Sequence, residues 1–351
     1  MTAFAAHLER RGHDVHAFAL AGQGPGVLHR VRAPFAVARG ARERRLGEAL
    51  AAAADDAGCD ATVGARHLPR VDLYWPHAGG HLAALHGLRC AQAGKLVPRG
   101  EVRVSGRHRA FLEMERGLLD GGRARRIACV SELVRRELAE AYPSAAGRLF
   151  LAPDGVDLGR FQVGERGQAG ARLRAELGVA PETPLVGFSA RNPELKNLPT
   201  LLAALEGLED RPWALVAAGS SWPSIRSRRA FVVPGVDPVA FASACDLVVH
   251  PTWRDACGLV VLEALACGTP VVTTALAGAA EALTTPAAGT VLEDPGDAGA
   301  LRGTIAAWLD RIGSASVDRD AVRACVADRG LGALHGALET ILLDLGARSA
   351  L

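Results

Sequence analysis

The stretch that most constrains the fold is residues 245–274, CDLVVHPTWRDACGLVVLEALACGTPVVTT. Leu247-Val248-Val249 has the length and β-branching of a strand buried on both faces. It delivers the chain to His250 and a polar loop running to Ala256. An apolar stripe at helical spacing then fills 258–266 and stops at Cys267-Gly268, ahead of Pro270. Residues 270–274 form the next strand, and strand, loop, helix and strand in that order read as part of an open parallel sheet. Ligands of such sheets lie outside the carboxyl ends of the strands, where free N–H groups of a helix start can receive phosphate. The loop 250–258 occupies that place. Asp255 and Glu263 stand eight residues apart, one in the loop mouth and one inside the helix. That is little more than two helical turns, so both carboxylates can face one pocket.

A chain of 351 residues exceeds the usual size of a single core, so two domains are expected. Its 49% apolar and 22% charged content is that of a globular protein rather than a disordered one. No stretch reaches the eighteen or so uncharged apolar residues of a spanning helix, and the first residues lack a signal-peptide core, so a cytoplasmic location is expected. The seven cysteines form no C-x2-C pair and read as small buried apolar residues. Residues 1–150 carry 23 Lys and Arg against 15 Asp and Glu, whereas the whole chain is only +2. This basic first half suits either an anionic acceptor or membrane face, or simply solvated Arg-rich helices.

Along the first half, residues 1–11 and 41–57 read as helices, 13–20, 60–63, 71–75 and 127–130 as strands, and 82–122 as an Arg-rich helical stretch. Residues 22–26, GQGPG, read as a loop. His77, in the PHAGGH segment after the 71–75 strand, is where a first domain presents a polar group to a cleft; His81 is a second choice. Phe111, Met114, Leu118 and Leu119 read as a core stripe and Ser131 as a helix cap. Pro153 with Asp154-Gly155 makes a turn that Asp157 caps. The polar, Gly-rich 164–170 marks the boundary between domains at 1–165 and 166–351. In the second domain, strands are expected at 184–189, 213–219 and 231–234, and helices across 298–345 with Trp308 as a core anchor. Arg191 and Lys196, between a strand end and a helix from Asn197, form a pair of cations such as a diphosphate needs.

The Asp255-to-Glu263 spacing, followed by Ala264, Gly268, Thr269-Pro270 and Val271-Val272, resembles the E-x7-E signature of retaining GT-B glycosyltransferases of family 4. The wording HPxxxDAxGxVxLEA is similar to the bacterial lipopolysaccharide-core glucosyltransferases of that family. The resemblance implies an α/β fold of two Rossmann-like doubly wound domains facing a cleft, with the last helix packing back on the first domain. It also implies a first strand and glycine-rich loop ahead of the segment LERRGHDVHAF; these are missing before Met1, so either the start lies further upstream or the element has been lost. The first is favoured, because a doubly wound sheet without its first strand would expose the edges of its neighbours.

Residue by residue, the resemblance assigns Glu263 to the nucleotide ribose, Asp255 to the sugar, and the amides of Cys257, Gly258 and Leu259 to the distal phosphate. Arg191 and Lys196 would meet the leaving diphosphate. Residues 232–236, Val233 among them, would meet the base through backbone groups, and His77 the sugar or acceptor. Asp255 departs from the family's usual Glu, and its shorter arm changes the reach to the sugar; Asp154 stands where Asn is usual. The implied reaction is transfer of a hexose from a nucleotide-sugar donor, UDP-hexose favoured over GDP- or ADP-sugars, with retention of configuration. The acceptor would be a glycan, a glycolipid or lipid-linked species, or a small molecule. No metal or other cofactor is expected, and no nucleic acid; peripheral contact with anionic membrane is a further expectation. A GT-B nucleotide-sugar epimerase and a catalytically impaired nucleotide-sugar-binding protein are the alternatives.

Overall fold

The computed structural model describes residues 1–21, 25–32, 35–100, 104–163, 168–219, 225 and 227–347. The chain forms two compact units, one of Met1–Leu85, Gly100–Pro153 and Gly332–Leu351, the other of His86–Arg99 and Asp154–Leu331. Part of the 22–26 loop, and 164–167 within the expected boundary, lie outside the described residues.

The elements in order are α1 (Thr2–Arg10), β1 (His16–Ala19), β2 (Val27–Arg30), α2 (Arg39–Asp56), β3 (Val63–Gly64), β4 (Val71–Tyr74), α3 (His81–Ala93), α4 (Gly106–Leu119), β5 (Ala124–Cys129), α5 (Glu132–Ala141) and β6 (Leu149–Leu151). Then follow α6 (Ala169–Glu176), β7 (Leu185–Ser189), α7 (Leu198–Glu206), β8 (Ala214–Ala218), β9 (Ala230–Val233), α8 (Pro238–Ala244), β10 (Leu247–His250), α9 (Leu259–Ala266), β11 (Val271–Thr274), β12 (Gly289–Leu292), α10 (Ala298–Gly313), α11 (Arg319–Ala324) and α12 (Leu331–Ala347).

The first unit holds a parallel sheet in the order β3-β4-β5-β6 and a separate parallel pair, β1-β2. Among the described residues no strand joins the two sheets. The stretch expected as one helical pattern, 82–122, is two helices. Gly94, at φ 62°, closes α3, and Pro98, without an N–H, stops the helix from resuming before Gly100. Leu118 and Leu119 are fully buried, whereas Phe111 is not a core residue: it stacks on His67, 5.1 Å between centroids, beneath the Arg107 guanidinium. Ser131 caps α5, accepting from Val134 N–H at 3.2 Å.

The second unit is one six-stranded sheet in the order β12-β11-β10-β7-β8-β9, every neighbour parallel. Numbered within the unit, that is 6-5-4-1-2-3, a doubly wound sheet whose order reverses between β7 and β10. The switch point fixes where a ligand can sit, because the loops leaving two neighbouring strands part there in opposite directions. β7, β8, β10 and β11 are buried along nearly their whole length, as their continuous Val, Leu and Ala runs require. Phe188, Leu201, Leu215, Val249 and Val272 form the core with Trp308, whose indole N–H donates to Thr290 Oγ1 at 3.0 Å. The helices expected across 298–345 are three, α10, α11 and α12, with breaks at 314–318 and again ahead of α12.

Candidate active site

Two loops meet at the switch point. The first leaves β7 and carries Arg191 and Lys196. It ends at Asn197, a buried residue held in the left-handed region at φ 65°, where asparagine is among the few residues tolerated. The Asn197 amide nitrogen donates to Pro295 O at 2.6 Å, and its carbonyl oxygen accepts from Thr200 Oγ1 at 2.7 Å. Lys196 is thereby fixed in sequence register at the mouth, while Arg191 is exposed in the same loop.

The second loop leaves β10. Its backbone fastens to the first, since Trp253 N–H and Thr252 Oγ1 both donate to Leu195 O, at 3.0 and 3.2 Å. It then runs beside the segment after β11, with Asp255 N–H donating to Leu276 O and Gly278 N–H to Asp255 O, both at 2.9 Å. Gly258 turns the chain into α9 at φ 92°, a conformation that costs any residue with a Cβ, and no side chain caps the helix it opens. The amides of 257–259 therefore stand at an uncapped helix start, with Cys257 buried and Leu259 about half exposed.

The centre of the arrangement is Asp255 Oδ2. Lys196 Nζ lies 2.6 Å from it and His250 Nε2 3.0 Å from it. Burial opposes ionisation of Asp255, but the His250 hydrogen bond and the Lys196 charge outweigh it and hold the carboxyl well below its usual range. Burial pushes His250 the other way, toward the neutral ring, against the pull of Asp255. A carboxylate only accepts, so the neutral ring carries its hydrogen on Nε2 and leaves Nδ1 bare; Nδ1 is buried with no hydrogen-bond partner among the described residues.

Glu263 is half-buried on α9, and its surroundings differ from those of Asp255. Burial pushes its pKa up, Arg160 opposes that and Asp237 adds to it. Arg160 itself pairs with Asp237, Nη2 to Oδ2 at 2.6 Å. Val233 ends β9, at the far edge of the same sheet. Lys196, Asp255, Cys257, Gly258, Leu259 and Glu263 are thus carried by two loops and one helix beside the switch point, and Arg191 by the first of those loops. His77 belongs to the other unit. Its ring packs on Trp75 at 4.2 Å, and burial lowers it to about 4; its Nε2 and the Trp75 indole nitrogen are buried without a partner among the described residues. His81 is engaged locally, its backbone N–H on the buried Glu115 at 2.7 Å and its Nε2 3.1 Å from His108 Nδ1.

Two site residues escaped the sequence reading. His250 could have been noticed as a polar residue ending an otherwise apolar strand, LVVH. Asp154, read only as a turn former, is 8% exposed. Burial pushes it up to about 6, with the negative charge of Asp255 adding to that and a hydrogen bond with the Cys257 thiol opposing it. Sequence gave no sign that this turn lies beside the start of α9. The first unit also holds a cavity of about 680 Å³ lined by Leu20, Arg30, Val31, Arg32 and Arg42, at the carboxyl ends of β1 and β2 and the first turn of α2. No helix among the described residues is long and apolar enough to cross a membrane.

Residues 183–311 match the family model described as glycosyl transferases group 1, and residues 1–160 match the model of glycosyltransferase family 4. Curated relatives include a D-inositol 3-phosphate glycosyltransferase of Nocardia farcinica, 33% identical over 211 residues, which are 54% of this chain and 44% of the relative. Another of that name, from Actinosynnema mirum, is 31% identical over 58% of this chain and 50% of the relative. The matches thus span about half the length of these relatives. Among solved structures, WaaG, a glycosyltransferase involved in lipopolysaccharide biosynthesis, superposes with a TM-score of 0.79 over 97% of this chain and 94% of that one, at 20% identity. The Anabaena protein HepE, in complex with UDP and glucose, gives 0.67 over 97% and 94%, at 18% identity. With one model on each half of the sequence and the GT-B architecture over nearly all of it, the chain belongs to the group 1 glycosyltransferases of family 4.

Proposed function

We propose that the chain transfers a hexose from a nucleotide-sugar donor, UDP-hexose in the first instance, to a glycan, glycolipid or small-molecule acceptor with retention of configuration. The observation that carries this is the meeting of Lys196 and His250 on one oxygen of Asp255, at the switch point and next to the uncapped start of α9. As the bond from the anomeric carbon to the donor phosphate breaks, the leaving nucleoside diphosphate gains negative charge. Lys196, Arg191 and the amides of Cys257, Gly258 and Leu259 are the groups to meet it. Asp255 accepts from sugar hydroxyls and Glu263 from the ribose, while backbone groups near Val233 meet the base. UDP is favoured because HepE, a structural neighbour, is solved with UDP and glucose. Retention follows from the resemblance of the Asp255-to-Glu263 stretch to retaining enzymes.

The first unit would take the acceptor, with His77 toward the transferred sugar or acceptor hydroxyl. The cavity lined by Arg30, Arg32 and Arg42 suits an anionic acceptor, and the name of the relatives points to D-inositol 3-phosphate as one compound to test. The experiment is incubation with UDP-, GDP- and ADP-glucose and a panel of acceptors including D-inositol 3-phosphate, with the anomeric configuration of the product read by NMR. An α-linked product from an α-linked donor is expected. A β-linked product would contradict retention, and conversion of the donor to its epimer without transfer would favour an epimerase.

A further inference from the structure

We propose that the Lys196–Asp255 ion pair is the closed form of the donor site, which the diphosphate opens by drawing Lys196 away, and that His250 is the positioning residue that keeps Asp255 in place once Lys196 has left. This rests on the donor reading above.

Lys196 Nζ and His250 Nε2 reach the same atom, Oδ2 of Asp255, at 2.6 and 3.0 Å. The two neighbours differ in what they can do next. His250 ends a central, fully buried strand and is 1% exposed, so its ring is held in place. Lys196 sits on a flexible four-carbon stem at the loop mouth, and among the described residues its ammonium makes one further hydrogen bond, donating to Arg254 O at 3.3 Å. A single ammonium charge that neutralises a carboxylate cannot also neutralise a diphosphate, so Asp255 and the diphosphate compete for Lys196. Departure of Lys196 leaves Asp255 with the His250 N–H on Oδ2 and its other oxygen open to a sugar hydroxyl. Diphosphate binding thereby uncovers the group that reads the sugar. A free sugar meets a carboxylate already engaged, so the two halves of the donor are recognised together.

The test is calorimetric titration of UDP, with GDP and ADP in parallel, into the wild type, Asp255→Asn, Lys196→Met and the double variant. Asp255→Asn is expected to bind UDP about three- to tenfold more tightly than wild type, and that gain is expected to fall below about twofold in the Lys196→Met background. Weaker or equal binding by Asp255→Asn would overturn the closed form. So would a gain of the same size without Lys196, which plain repulsion between carboxylate and diphosphate produces. Asp255→Ala repeats this arm should the amide variant not fold. Failure of the wild type to bind any of the three nucleotides would remove the donor site itself; binding without the tightening removes only the closed form. For His250, His250→Ala is expected to keep UDP affinity within about twofold while release of UDP from UDP-glucose slows at least about tenfold, with His250→Gln recovering most of the rate. Equal losses of affinity and rate, or no recovery by Gln, would overturn the positioning role.

Discussion

At the scale of single residues, two carboxylates eight positions apart have opposite surroundings. Asp255 is held ionised by Lys196 and His250, whereas Glu263 is made harder to ionise by burial with only Arg160 in opposition. Glu263→Ala is therefore expected to weaken UDP binding at least about tenfold, and Lys196→Ala to lower turnover more than it weakens binding, both read from steady-state kinetics beside calorimetry. Asp154 offers a stability measurement. Its pKa in the fold, about 6, lies above the ordinary value of 3.8, so the fold binds more protons than the unfolded chain between those two pH values. Stability from this group is greatest below about pH 4 and is lost as pH rises through 6. Asp154→Asn, the family's usual residue, should thus raise the free energy of unfolding at pH 8 by an amount on the order of 1–3 kcal/mol, read as a higher melting temperature, and leave it unchanged at pH 4. An equal change at both pH values would show that the buried charge is not the cause.

At the scale of elements, the strand-loop-helix-strand of 245–274 was legible because its apolar runs are continuous and its punctuation is strong. Gly258, Gly268 and Pro270 mark the joints where β10, α9 and β11 begin and end. The break between α3 and α4 was not read, since an Arg-rich amphipathic pattern persists on both sides of Gly94 and Pro98 and outweighs two breakers in a long window. Nor could sequence show that the two mouth loops are hydrogen-bonded to each other through Leu195, because that contact joins residues more than fifty positions apart. Asn197 is the fastening of the first loop. Asn197→Ala removes both of its side-chain hydrogen bonds and puts a poorly suited residue at positive φ. A loss of about 1–3 kcal/mol in denaturant unfolding is expected, with a larger fall in turnover than in stability because Lys196 is its neighbour. Unchanged turnover would mean that the loop holds its shape without Asn197.

At the scale of the whole molecule, the first half matches the family 4 model and the second the group 1 model, and the second half has the strand order that creates a switch point. The residues proposed for the donor could be named from sequence one by one, because Arg191, Lys196, Asp255 and Glu263 sit in stretches whose wording is close to the family's, and the fold carries them on two loops and one helix beside the switch point. The cavity proposed for the acceptor was foreshadowed only by an excess of positive charge: Arg30, Arg32 and Arg42 are spread between positions 30 and 42 and meet only when β1, β2 and α2 are assembled. Arg30→Ala with Arg32→Ala is expected to raise KM for a phosphorylated acceptor at least about tenfold while KM for the donor stays within twofold; a shift confined to the donor would move this cavity out of the acceptor site. The central claim is that the second unit holds a nucleotide-sugar donor at Lys196, Asp255 and Glu263. Its most direct test is calorimetric titration of UDP, GDP and ADP into the wild type and into Glu263→Ala and Lys196→Met. Saturable one-to-one binding of one nucleotide, weakened in both variants, is the expected result. Binding of none of the three, or binding that neither substitution alters, would contradict it.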